Sequence, residues 1–122
     1  MRLEFPGEHL FREAVLAPGE EVCTSLKIKN KTAHSQELGL VAEGLSQEKL
    51  APYLFFEVRS REKPLWQEVG SQISSSVDDP EVLASLSSLQ ELSLDLCAKL
   101  EERTPNEWQG YRSAPITFRF GF

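Results

Sequence analysis

Residues 79–103 read DPEVLASLSSLQELSLDLCAKLEER, and their reading decides the fold. Asp79-Pro80-Glu81 is a helix start: Asp as N-cap, Pro at the first position, Glu in the first turn. Leu86, Leu89, Leu92, Leu96 and Leu100 recur at spacings of three and four, so a helix to about Arg103 fits. Leucine's helix propensity supports it. The alternation Leu92, Leu94, Leu96, Ala98, Leu100 fits a strand equally well, with Ser93, Asp95, Cys97 and Lys99 on the outer face. Only period 2 places Leu94 in the core. We read a short helix over Pro80–Ser87 and then a strand over Gln90–Leu100; the continuous helix is the alternative.

Outward from this stretch the chain is strand-rich. Upstream, Val22, Thr24, Leu26, Ile28 and Asn30 share one face, and Cys23, Ser25, Lys27 and Lys29 the other. That is a half-buried strand with a cationic outer face. Glu37–Gly44 carries Leu38, Leu40 and Ala42 on one face. In Tyr53–Arg59, Leu54, Phe56 and Val58 alternate with Phe55, Glu57 and Arg59. Leu3–Phe5, Leu65–Val69 and Ile116–Phe120 are further extended pieces, and Leu10–Leu16 links two turns without an assigned conformation. Phe118 and Phe120 share the core face of the last one. Pro6-Gly7, Ala17-Pro18-Gly19-Glu20, Asn30–Ser35 and Ser60–Lys63 are turn and loop chemistry. Leu45–Pro52 holds a short helical turn with Ser46 as N-cap, and Ser71–Val77 is a surface loop. The expected fold is all-β: a jelly-roll or immunoglobulin-like antiparallel sandwich of about seven strands with one or two short helices. It forms one domain over residues 1–122.

Bulk properties narrow the function. A 40% hydrophobic share with two Trp and seven Phe supports a real core in 122 residues. The net charge of −6 argues against binding nucleic acid or an anionic membrane. No run reaches the length of a transmembrane helix. Met1–Phe5 has no apolar leader core, so the expectation is either a cytosolic protein or a mature form whose leader has been removed. His9 and His34 are isolated and lack the spacing of a zinc protease, and no Gly-x-Ser-x-Gly elbow or phosphate loop occurs. Asp78-Asp79 and Glu101-Glu102 supply too few oxygens for calcium and read as solvated charge. The expectation is a non-enzyme without cofactor or metal.

The order of short motifs resembles the TasA/camelysin family of SipW-processed, secreted Gram-positive proteins. Leu16-Ala17-Pro18-Gly19-Glu20-Glu21-Val22, then a strand ending in Lys29-Asn30, resembles the family's opening segment. Asn106-Glu107-Trp108-Gln109-Gly110, then Ile116–Phe120, resembles its closing turn and aromatic last strand. Leu65-Trp66-Gln67-Glu68 and Leu86–Leu100 match its middle segments without their usual glycines. The resemblance runs from Leu10 onward. It implies a jelly-roll-like sandwich exported from the cell, in some members polymerised into biofilm-matrix fibres by an N-terminal strand that completes the next subunit's sheet. Other members stay on the cell surface, and some are described as metallopeptidases. It also implies structural roles for Pro18, Gly19, Asn30, Asn106, Trp108, Gln109 and Gly110. The leader and the short segment after it are absent from this sequence.

The function expected is a secreted or cell-surface structural subunit that associates with itself or with matrix proteins through sheet edges. The alternative is a monomeric β-sandwich binding or adhesion module using loops such as Ser71–Asp79. Trp108 reads as a core cover rather than an exposed recognition group. Cys23 and Cys97 fall on the outward faces of their strands. In an immunoglobulin-like strand order they become cross-strand neighbours able to form a disulfide, which is the alternative to the preferred reading of two separate thiols.

Overall fold

The structure, a computed structural model, describes residues 2–4, 13–45, 48–61, 63–73, 79–108 and 111–122, with 2–4, 13–15 and 112–115 described by their backbone. Among them are ten strands: β1 (Arg2–Glu4), β2 (Glu13–Val15), β3 (Glu21–Lys29), β4 (Gln36–Glu43) and β5 (Leu54–Ser60), then β6 (Lys63–Val69), β7 (Glu81–Leu86), β8 (Glu91–Leu100), β9 (Arg112–Pro115) and β10 (Thr117–Gly121). Seven form the antiparallel sandwich. One sheet runs β3-β8-β5-β6 and the other β10-β4-β7. A small third sheet, β2-β1-β9, includes one parallel pairing, β1 with β9. β5 and β6 are a hairpin within one sheet; the other connections between sandwich strands cross from sheet to sheet.

Alternation builds the core. Leu54, Phe56 and Val58 of β5, Leu94, Leu96, Ala98 and Leu100 of β8, and Leu38 and Leu40 of β4 are fully buried. Phe56 and Phe118 join the two sheets, their ring centroids 5.0 Å apart and tilted. Two glycines are required by geometry. Gly19 takes φ +85° in the Ala17–Glu20 turn, and its N–H donates to Leu100 O at 2.7 Å. At Gly70 a Cβ would stand 2.8 Å from Ala51 O, so the turns at Ala51–Tyr53 and Gly70–Gln72 meet only because it has none.

The helix expected over Pro80–Ser87 is instead β7, and the described residues contain 3-10 turns but no α-helix. The cause is a bulge. β7 pairs Ala84 with Leu38 and Val82 with Gly39, which leaves Leu83 as the extra residue. Leu83 and Leu86 are therefore both buried at a spacing of three, which copies helical periodicity. Leu89, which extended that stripe, stands 65% exposed in the β7–β8 turn at φ +63°. The Leu45–Pro52 turn appears as 3-10 geometry at Ala51–Tyr53; Ser46 lies outside the described residues. So do most of the Ser71–Asp79 loop, His9, Gln109 and Gly110. No helix among the described residues is long and apolar enough to cross a membrane.

Candidate functional site

β3 and β10 are the terminal strands of their sheets on the same side of the sandwich. On the opposite side the terminal strands β6 and β7 approach each other. Between β3 and β10 lies a groove of about 810 Å³, lined by Leu26 and Ile28 from one strand and by Phe118, Arg119 and Phe120 from the other. Phe122, 54% exposed, stands at its lip.

Burial shows why the groove exists. The inward residues of β5, and those of β8 from Leu94 to Leu100, are buried, whereas Val22, Leu26 and Ile28 of β3 are only half-buried. β3 ends the four-stranded sheet and β10 ends the three-stranded one, and no pairing among the described strands joins them. On that side no described strand pairs with the β3 main chain. Leu100 N donates to Glu20 O, and Asn30 N to Gln90 O, so even-numbered β3 residues form the hydrogen-bonded pairs with β8. The N–H and C=O groups of Cys23, Ser25 and Lys27 then point towards the open edge.

Behind this edge β3 is pinned. Cys23 and Cys97 lie directly opposite in the β3–β8 register, 4.0 Å apart between Cα atoms, and their sulfurs are bonded. The pair sits at a non-hydrogen-bonded position, where side chains come closest. Cys97 has outward parity, yet only 1% of it is exposed. Its cover is ionic. Arg59 lies opposite Asp95 and reaches across β8 to grip Glu21 with both terminal nitrogens, at 3.0 and 3.3 Å. That path passes over Cys97, and Glu57, paired with Cys97 in register, forms an ion pair with Arg59 Nε. Among the described residues, Glu21, Cys23 and Cys97 are the one group of three potential metal ligands, their ligand atoms within 4.8 Å of one another.

Asn30 closes the end of β3. Fully buried, it donates from Nδ2 to the carbonyls of His34, Leu86 and Ser87 at 2.8–3.1 Å. Its Oδ1 accepts from Thr32 N and Thr32 Oγ1. Trp108 packs against the core with its ring 4.9 Å from Tyr111 and 6.5 Å from Tyr53. Half-buried, it lies against the core as a cover. Pro18 and Gly19 make the turn into β3, and Asn106 opens the 3-10 turn that carries Trp108. These motif residues shape the sandwich and are not gathered into one pocket. His34 and the Glu101-Glu102 pair are exposed.

The sequence reading missed the buried Glu48, which accepts from Leu50 N at 3.0 Å and from the Tyr111 hydroxyl at 2.8 Å. Burial first, then the bond to Glu48 and its charge, pushes the Tyr111 pKa up to about 12 from 10.0. Because the folded-state pKa lies above the unfolded one, this stabilisation is complete below pH 10.0 and is lost as the pH rises towards 12. Alkaline melts should show wild type losing stability over that window more steeply than Tyr111→Phe. Equal slopes would contradict the assignment.

Compared with known proteins, the chain matches no family model, no curated protein and no solved structure.

Proposed function

We propose that this protein is a non-enzymatic structural subunit of the TasA/camelysin type, outside the cell or on its surface, that takes up an extended segment of a second copy at the β3/β10 seam. One observation carries the reading: two sheet edges flank an apolar groove whose β3 wall is left half-buried. A strand added beside β10 would cover Leu26 and Ile28 and give β10 a ladder partner, the physics of strand addition. The motif resemblance supports the assignment to this family. The Cys23–Cys97 bond supports an oxidising location.

The test is assembly. Purified protein followed by sedimentation and electron microscopy should form concentration-dependent oligomers. Phe120→Lys, which sets a charge in the groove, should weaken association by at least about tenfold, as loss of a central apolar anchor does. Monomers that persist at all concentrations and take up foreign extended peptides at the seam would favour the monomeric adhesion module. Assembly unaffected by Phe120→Lys would overturn the seam itself.

A further inference from the structure

We propose that Glu21, Cys23 and Cys97 form a redox-gated site for a soft divalent cation of the zinc class: the disulfide closes the site and its reduction opens it. The argument begins with placement. The three ligand atoms lie within 4.8 Å of one another on one face of the larger sheet. The two cysteines come from paired strands whose ladder runs from Glu21 opposite Lys99, two residues before Cys23, to Lys29 opposite Glu91, six residues after it, so the sulfurs remain neighbours once the bond between them is gone. Two thiolates and a carboxylate are a donor set that zinc accepts, with metal–sulfur distances of about 2.3 Å and metal–oxygen distances of about 2.1 Å. Water would complete the tetrahedron. Glu21 and Cys23 are exposed, so a cation reaches the site from solvent on their side, and Glu21 also lines an open groove of about 690 Å³ with Arg59, Phe55 and Lys99.

The gate balances chemically. A low-molecular-weight thiolate attacks Sγ of the exposed Cys23, and the Cys97 thiolate leaves. A second thiolate then releases Cys23 and carries away the small-molecule disulfide. Two electrons enter the protein and the oxidised reductant leaves. The cation displaces the protons of both thiols to water, giving a site of net charge −1 with Glu21.

Glu21 has two possible counter-charges. In the disulfide form it is held by the Arg59 guanidinium; in the reduced form the metal takes over one of its oxygens. The β3–β8 staple is thus exchangeable: covalent under oxidising conditions, metallic under reducing ones. This inference is independent of strand addition at the seam, which lies along the main-chain edge of β3 rather than on this face.

Cadmium is the probe. Protein reduced with a phosphine, which becomes the phosphine oxide, should bind one equivalent of Cd2+ with ultraviolet thiolate-to-metal charge transfer. The oxidised protein should bind none. Glu21→Gln in the reduced state should keep the band and lose at least about tenfold in affinity, as loss of a supporting group does at metal sites. Circular dichroism guards against unfolding: if reduction loosens the fold, Cd2+ should restore the strand signal. No charge-transfer band in the reduced protein, equal binding by the oxidised protein, unchanged affinity in Glu21→Gln, or failure of Cd2+ to restore a lost strand signal would each overturn the proposal.

Discussion

Reduction of the Cys23–Cys97 disulfide, or its replacement in Cys23→Ser/Cys97→Ser, is expected to be the most destabilising change available outside the apolar core. The cysteines are 74 residues apart, and closing a loop of that size removes unfolded-state entropy worth about 4.5 kcal/mol. The bond also secures the strand that most needs it. β3 pairs only with β8 among the described residues, and none of its side chains is fully buried. The Arg59 bridge from β5 to Glu21 adds little by itself, because both partners are about one-third exposed. Thermal unfolding in metal-free buffer should therefore drop by about 15 °C on reduction. Native protein should show no free thiol. An unchanged melting temperature, or two titratable thiols in the native protein, would contradict the pairing.

Asn30→Leu comes next, at roughly 3 kcal/mol. The isosteric side chain fills the space but removes every hydrogen bond of the amide. The Leu86 and Ser87 carbonyls lose a donor at the β7–β8 turn, and Thr32 loses its acceptor in the β3–β4 loop. Groups left buried without partners cost more than the bonds contributed. Asn30→Asp should also destabilise the fold, because a carboxylate cannot donate to the three carbonyls. Chemical denaturation measures both variants, and a loss below about 1 kcal/mol for Asn30→Leu would show that the network is not limiting.

Much of this architecture was legible because strand parity is a local signal. The β3, β5 and β10 faces and the outward placement of both cysteines follow from alternation alone. Residues 80–87 failed for a physical reason: the bulge at Leu83 depends on the partner strand, Leu38–Gly39 of β4, and leaves no mark in β7 except a misleading three-residue spacing. Parity placed Asn30 on the inward face and the motif gave it a structural role, but a buried amide serving two turns cannot be read from one loop. The Glu21–Arg59–Glu57 cover was half legible, as parity sets Glu57 and Arg59 outward. That they lie over Cys97 requires the β3-β8-β5 order. The seam itself was invisible, because a groove between β3 and β10 depends on which strands end their sheets.

Amide hydrogen exchange tests the central claim most directly. The main-chain N–H groups of Cys23, Ser25 and Lys27 face the open edge of β3, while those of Thr24 and Leu26 bond to β8. On assembly, protection should appear in β10 and at the open β3 amides, slowing exchange at least about tenfold, with Thr24 and Leu26 little changed. Assembled protein in which β3 and β10 exchange as in the monomer, with new protection at β6 and β7 instead, would contradict strand addition at this seam.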